Sequence, residues 1–482
     1  MASLDEQILV RNPWWGRPSA VEEDPHLQTL RRVPFQWHPP LLESLPLVPG
    51  SAHTLRGPRQ AGKTTLAKVL IRRLLEAGES RILYFSFDFA RRPEALYEVM
   101  NRAKELHPDP VGPWYFFLDE VTSVPDWQKG VKVAWDQGLV REDFLLLTGS
   151  SARDLKVGAE QLPGRRGDGV DLLHLPMSFR DFCTQVEGIH LPEDPCCISD
   201  FLQARGRRLA RELYLSIRTL SRSFQTYLRI GGFPVAVRDY VASDDGSARP
   251  QSVRMLWDAL AGDIARSGRD QTAAAKLLEE VAVSLGSPLR WQGAARSMGM
   301  ASGATAREYV EHLSESFALL AVYFWDLAGG SLQPSKQRKV YFLDPLFAEI
   351  APLLMPGARR PPGDAAVENA VASGLFRSSA SALTQSGAEP GAVGYWRSAA
   401  GREIDFVVPA EERGRGGRLP LEVKGDNASA ISRARMAIRN AFGEGVVASR
   451  TEFDPRGPVP VIPVPVLLAA LGERSKRGPG TL

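Results

Sequence analysis

The sequence predicts an α/β protein in several modules: a buried parallel sheet in the N-terminal half, a helical region after it, and a second, smaller α/β module near the C-terminus. Three observations carry this. A glycine-rich loop at residues 57–64 runs straight into a helical pattern. Three continuous apolar runs, at residues 81–87, 114–118 and 144–147, are separated by helical patterns, as strands buried on both faces of a parallel sheet are. Polar or Pro/Gly-rich stretches at residues 239–250 and 356–363 each precede a change in composition.

With 482 residues the chain is too long for one core, and a prior of ~150 residues per domain suggests about three. The hydrophobic share of 44% and charged share of 24% are those of a folded globular protein. No run reaches the ~18 apolar residues of a spanning helix, and the polar start Met1-Ala2-Ser3-Leu4-Asp5-Glu6 is unlike a signal core; the expectation is a cytoplasmic protein without membrane contact. Cys183, Cys196 and Cys197 are an odd count without C-x-x-C spacing, which argues against a disulfide framework and a zinc site. A formal charge of +3 permits nucleic-acid contact without demanding it. Arg205, Arg207, Arg208, Arg211, Arg218, Arg222 and Arg229 crowd one helical region, as a solvated face or as a phosphate-binding one.

The loop is Gly57-Pro58-Arg59-Gln60-Ala61-Gly62-Lys63-Thr64, a full G-x-x-x-x-G-K-[ST] pattern followed by Thr65. Its glycines let successive N–H groups turn toward phosphate oxygens, Lys63 reaches the β- and γ-phosphates, and the Thr64 hydroxyl can ligate Mg²⁺. The helix that begins there adds its N-terminal dipole. ATP and Mg²⁺ are the expected ligands.

The second apolar run ends in Asp119-Glu120. An acidic residue at a strand end helps hold Mg²⁺ and the next one polarises the attacking water, so Asp119 is the expected metal ligand and Glu120 the expected base. The third run ends in Thr148-Gly149-Ser150-Ser151, which puts Thr148 in a sensor position beside the γ-phosphate or the water. Arg165 and Arg166, in a loop before the strand-like residues 170–175, either reach a phosphate on a neighbouring subunit of a homo-oligomer or belong to a simple basic loop.

This order of motifs, continued by Leu175-Pro176-Met177-Ser178-Phe179-Arg180-Asp181-Phe182, resembles the prokaryotic AAA+ ATPases of STAND-like type that carry a family-specific C-terminal domain of unknown function. Asn12-Pro13-Trp14-Trp15 and Tyr227-Leu228-Arg229-Ile230-Gly231-Gly232-Phe233-Pro234 match the same group. The resemblance implies that Gly232-Phe233-Pro234 lies in a lid and senses the nucleotide; read alone, these residues are a turn signal.

Residues 289–323 read as helix, short turn, helix and strand, which resembles a winged helix-turn-helix presenting Ser302, Thr305, Arg307 and Glu308, either to DNA or as a packing module. Farther on, Val367-Glu368-Asn369-Ala370-Val371 begins a helix. Strand-like Gly394-Tyr395-Trp396-Arg397 and Glu403-Ile404-Asp405-Phe406-Val407-Val408 follow, then a loop at 411–418 and Leu419-Pro420-Leu421-Glu422-Val423-Lys424. An Asp followed by Glu-x-Lys on the next strand resembles the PD-(D/E)XK nuclease core. Alternation puts Glu422 and Lys424 on one strand face, with Asp405 beside them. Asp405 and Glu422 would then hold Mg²⁺ while Lys424 activates water, and Glu368 completes the family pattern. Ordinary exposed charges on strand edges are the competing explanation.

The expected fold is therefore a P-loop NTPase parallel sheet with a helical lid, a winged-helix-like middle domain and a C-terminal restriction-endonuclease-like α/β domain. The boundaries are 1–185 for the ATPase core with its N-terminal extension, 186–245 for the lid, 246–355 for the middle domain, 364–472 for the nuclease-like domain and 473–482 for a disordered tail. The expected function is a Mg²⁺-dependent ATPase whose nucleotide state controls a DNA-directed nuclease-like domain. Two alternatives stand beside it: a nucleotide-switched signalling or scaffold protein with an inactive nuclease-like domain, and a winged-helix DNA-binding regulator.

Overall fold

The computed structural model describes residues 3–107, 109, 112–149, 152–243, 250–386, 393–410 and 417–472. Ser150 and Ser151, the polar linker around Asp244-Asp245-Gly246-Ser247, most of the 411–418 loop and the tail 473–482 lie outside them. The chain divides into two compact units, one running from the N-terminus through Leu175 and one beginning at Pro176.

In the first unit, β1 (Ser51–Arg56), β2 (Ile82–Ser86), β3 (Tyr115–Asp119), β4 (Phe144–Thr148) and β5 (Asp171–Leu173) form one sheet in the order β2-β3-β4-β1-β5. Every pairing is parallel. Parallel neighbours need crossovers, and the helices Lys63–Glu76, Glu94–Leu106, Trp127–Asp136 and Ala152–Glu160 supply them after the first four strands in turn. The two faces of the sheet are covered by separate clusters, one around Leu83, Phe116, Leu145 and Trp127, the other around Leu70, Phe117, Leu146 and Trp14.

Central β1 is buried throughout although its sequence, Ser-Ala-His-Thr-Leu-Arg, is mostly polar. Three of its polar side chains are satisfied internally: Thr54 donates to Asp171, the His53 ring meets the Ser51 hydroxyl at 2.8 Å, and Ser51 donates to the Val48 carbonyl at 2.5 Å. Burial, followed by the charge of Arg166, pushes the His53 pKa down to about 4, which keeps the ring neutral.

Strand β2 lies at the sheet edge, and the N-terminal segment closes it with side chains. Asn12 accepts from the Tyr84 N–H at 2.7 Å and donates to the Tyr84 carbonyl at 3.1 Å, while the indoles of Trp14 and Trp15 both donate to the Ile82 carbonyl, at 3.1 and 2.8 Å. An edge strand's free backbone groups are thus taken up within the chain.

The second unit begins with helices, among them Ala204–Tyr214, Ile217–Ile230, Pro234–Ala242, Pro250–Arg266 and Gln271–Ser284. Gly232 is fixed by its neighbours: its N–H donates to the buried Asp344 carboxylate at 2.9 Å, and a Cβ there would stand 2.1 Å from the Met177 carbonyl oxygen. Helices Trp291–Met298 and Gly303–Glu315 then lead into β6 (Leu319–Asp326), followed by β7 (Ser331–Gln333) and β8 (Lys339–Phe342). After helix Gly363–Ser386 come β9 (Gly394–Arg397), β10 (Glu403–Pro409), β11 (Arg418–Val423), β12 (Val446–Ser449) and β13 (Val461–Pro463). All eight strands join one mixed sheet, in the order β13-β12-β11-β10-β9-β6-β7, with β8 pairing β6. Helix Ala428–Phe442 packs Ile431 and Ile438 into a core with Trp325, Ile404, Val407 and Val447.

Candidate functional site

The phosphate loop follows β1, and two backbone features shape it. Gly57 and Gly62 have φ of 156° and 99°, and a Cβ on Gly57 would stand 2.0 Å from the His174 carbonyl oxygen, so only glycine fits there. The His174 ring lies beneath the loop, stacked on Trp37 with centroids 5.1 Å apart. Burial, with the Lys63 charge second, pushes its pKa down to about 3. The Lys63 ammonium is held over the loop by the carbonyls of Gly57 and Pro58, each at 3.0 Å.

Two strand ends bring the remaining residues to the loop. Asp119, 4% exposed at the end of β3, accepts from the Thr64 hydroxyl at 2.8 Å and from Thr148, which ends β4. Thr148 also accepts from the Glu120 N–H at 3.3 Å, so one threonine ties both carboxylate-bearing residues to its strand. Glu120 stands in the left-handed region with φ 54° and ψ 38°. For a non-glycine residue this costs ~1–3 kcal/mol and recurs at functional sites. A hydroxyl and a carboxylate are the hard oxygen donors that Mg²⁺ prefers, so Thr64 and Asp119 fit that ion.

Sequence reasoning missed a third hydroxyl, that of Tyr84, which donates to Asp119 at 2.8 Å. Burial and then the Asp119 charge hold the Tyr84 pKa far above its ordinary value, which keeps it a donor. Below its ring, 3.3 Å from the centroid, lies the Lys68 ammonium, paired with Asp24 at 3.0 Å. Burial pushes the Lys68 pKa down against the pull of Asp24. Alternation in β2 turns Tyr84 and Ser86 to one face of the sheet; nothing in the sequence said that this face meets Asp119.

Both arginines of the basic loop are engaged with carboxylates of their own chain. Arg165 pairs with Asp136 at 2.7 Å, and Arg166 pairs with Asp171 at 3.0 Å and donates to the Ala52 carbonyl at 3.1 Å.

In the second unit, Asp405 and Glu422 come together on the antiparallel β10 and β11, each next to the Phe406–Leu421 pair, and the Asp405 N–H donates to the Glu422 carboxylate at 2.9 Å. Glu422 meets the Lys424 ammonium at 2.6 Å, and Lys424 stands 3.9 Å from Asp405. Glu368 joins them from helix Gly363–Ser386. A residue not anticipated stands among them: Lys339, on β8, whose side chain is 0% exposed. Its ammonium is 2.7 Å from Glu403, 3.1 Å from Asp405 and 3.5 Å from Glu368. The nearby carboxylates outweigh burial and keep its pKa above the ordinary lysine value. Tyr341, two residues along on the same strand, donates to Glu368 at 2.6 Å.

These carboxylates do not present the oxygen set that a divalent cation needs. Both oxygens of Asp405 are engaged, by Lys339 and by the Val423 N–H at 3.0 Å. Both oxygens of Glu422 are engaged, by Lys424 and by the Asp405 N–H at 2.9 Å. Among the described residues no group of three or more His, Cys, Asp or Glu side chains is arranged to hold a metal ion.

Elsewhere in this unit, Ser302 caps helix Gly303–Glu315 by accepting from the Ala304 N–H at 3.1 Å, and Arg307 pairs with Glu311 at 3.0 Å. Arg205, Arg208, Arg211, Arg218, Arg222 and Arg229 are exposed on the helices Ala204–Tyr214 and Ile217–Ile230. No helix among the described residues is long and apolar enough to cross a membrane.

Comparison with known proteins bears on these segments separately. Residues 221–350 and 364–467 match two families described as domains of unknown function, DUF8612 and DUF4143. No curated protein matches the chain. Among solved structures, the Walker-type ATPase paby2304 of Pyrococcus abyssi is 15% identical, with 65% of this chain and 93% of that one covered and a TM-score of 0.38. The ORC1 protein of Aeropyrum pernix, solved in complex with DNA, is 16% identical over 68% and 92% of the two chains, with a TM-score of 0.28. A RuvB variant of Thermotoga maritima is 14% identical over 70% and 94%, with a TM-score of 0.25. Residues 50–183 match the family described as AAA domain, and with the loop and the parallel sheet this makes the segment a nucleotide-binding P-loop ATPase domain of AAA type.

Proposed function

We propose that this protein is a Mg²⁺-dependent ATPase whose nucleotide state controls a DNA-directed second unit. The observation that carries the reading is the convergence on Asp119 of hydroxyls from the phosphate-loop helix, Thr64, and from the neighbouring strand, Thr148, with Glu120 next in sequence. The backbone of residues 57–65 would cradle the phosphates, with Lys63 on the β- and γ-phosphates. Thr64 and Asp119 would hold Mg²⁺, which supplies charge neutralisation and Lewis-acid polarisation of the phosphoryl group when bound. Glu120 would orient the attacking water and accept its proton, with Thr148 fixing the Asp119 carboxylate and the Glu120 backbone. In a homo-oligomer Arg165 or Arg166 would exchange its own-chain carboxylate for a phosphate of the adjacent subunit. The exposed Arg218, Arg222 and Arg229 support DNA contact through phosphate neutralisation.

A second reading, a nucleotide-switched scaffold whose C-terminal domain docks a partner without cutting it, is favoured by the lysine among the carboxylates of that domain. ATP binding and turnover measured on wild type, Lys63→Ala and Glu120→Gln test the first reading. Lys63→Ala should weaken ATP binding at least ~10-fold, and Glu120→Gln should bind ATP normally while losing ~100-fold or more of turnover. Wild-type hydrolysis by Glu120→Gln would overturn the assigned base. DNA binding and cleavage by the same proteins, with and without ATP, separates a cutting second unit from a docking one.

A further inference from the structure

We propose that Lys339 is a built-in cation standing in the position of a divalent metal, so that the acidic cluster of the second unit is closed to metal in the native chain and becomes a metal site only when this ammonium is removed. The inference goes beyond the ATPase reading and does not rest on it.

The carboxylates are gathered around an ammonium, not arranged around a metal. Oxygens of Glu403, Asp405 and Glu368, two from β10 and one from a helix, approach a single point at 2.7, 3.1 and 3.5 Å, and that point is the Lys339 Nζ. An ammonium has three N–H donors, and here three carboxylates lie within ion-pair distance of it. The two shorter distances are near those of N⁺–H···O⁻ hydrogen bonds, whereas Mg²⁺ sits ~2.1 Å from its oxygens. A second positive charge, Lys424, closes the other side of the cluster on Glu422.

Electrostatics explains why the lysine is tolerated at 0% exposure. Glu403, Asp405 and Glu368 crowd one point, and like charges there repel unless a cation lies among them. Here that cation is covalently part of β8. A divalent ion entering would meet a unit positive charge within ~4 Å, which opposes its binding. Glu368 and Lys424 also line a cavity of about 240 Å³ with Gly286, Ser287, Gly425 and Arg450, which brings open space to one edge of the cluster.

The test is a Mn²⁺ titration of the nucleotide-free full-length protein, read by loss of the free Mn²⁺ signal in electron paramagnetic resonance. Wild type and Asp405→Asn should bind Mn²⁺ identically. Lys339→Met should gain an Asp405-dependent site at least ~10-fold tighter than anything in wild type, lost again in the Lys339→Met, Asp405→Asn double variant. Mn²⁺ binding in wild type that Asp405→Asn abolishes would overturn the proposal, as would a folded Lys339→Met that gains no site. Should Lys339→Met fail to fold, thermal melting of wild type decides: exchanging EDTA for Mn²⁺ should move the melting temperature no more than ~1 °C beyond the shift in Asp405→Asn, and a larger Asp405-dependent rise refutes the built-in cation.

Discussion

Replacing Asn12 by alanine tests whether the N-terminal segment is part of the sheet that carries the site. Asn12 is 1% exposed and makes three hydrogen bonds, to the Ile8 carbonyl at 2.8 Å and to both backbone groups of Tyr84. Truncation leaves the Tyr84 N–H and C=O on an edge strand without partners. Each costs ~1–3 kcal/mol when buried, and water entering at the edge recovers part of that, which gives a local destabilisation of ~2–4 kcal/mol. At 1.4 kcal/mol per factor of ten, the Tyr84 amide should exchange ~30- to 1000-fold faster. Hydrogen–deuterium exchange on the full chain, followed at residues 81–87, measures this directly. Because the Tyr84 hydroxyl donates to Asp119, ATP turnover should fall in the same variant. Tyr84 protection within ~3-fold of wild type would refute the argument that Asn12 substitutes for a missing strand.

The other predictions are more local. Gly57→Ala should lose ATP binding and lower the melting temperature, because its Cβ meets the His174 carbonyl at 2.0 Å; normal nucleotide titration by the variant would contradict this. Arg165→Ala removes a solvent-screened surface pair, so its melting temperature should stay put; a loss of turnover that grows with protein concentration would mark action in trans, and unchanged turnover in both Arg165→Ala and Arg166→Ala at every concentration would end the finger assignment. Burial, then repulsion from Asp405, raises the Glu422 pKa from 4.5 to about 7. A raised carboxylate contributes stability below its unfolded pKa and loses it as pH rises through the folded one, so the second unit should weaken as pH rises from 4.5 to about 7. Denaturation across that range should flatten in Glu422→Gln, and an equal slope in both proteins would exclude Glu422 as the source.

The phosphate loop and the apolar runs of β2, β3 and β4 were legible because each follows a local rule: glycines where the backbone turns, and apolar residues where a strand is covered on both faces. The helix, turn, helix and strand of residues 289–323 were legible for the same reason. Strand β1 was harder, since its Ser, His and Thr look solvent-exposed until Val48, Ser51 and Asp171 satisfy them. Three features rest on pairings that no local pattern encodes. Tyr84 reaches Asp119 only because β2 and β3 are neighbours in register, Ser86 opposite Asp119. The sheet of the second unit depends on β6 meeting β9 across a long intervening helix. Lys339 opens an otherwise apolar run, a charged residue where a buried strand begins, and that anomaly was the one signal that pointed to it.

The β6–β9 pairing also bears on how the second unit can be divided. It is made by Tyr323 and Phe324 with Gly394 and Tyr395, residues some seventy positions apart in a single hydrogen-bonded ladder. Severing the chain anywhere between 350 and 364, where composition suggests a boundary, would strip β9 of that neighbour and leave a raw edge inviting intermolecular strand pairing. The same cut would carry Lys339 away with the upstream fragment, leaving Glu403 and Asp405 facing one another without their shared counterion. Folding of the carboxylate-bearing segment is therefore conditional on residues synthesised before it, and its solubility in isolation would report on the ladder as much as on its own core.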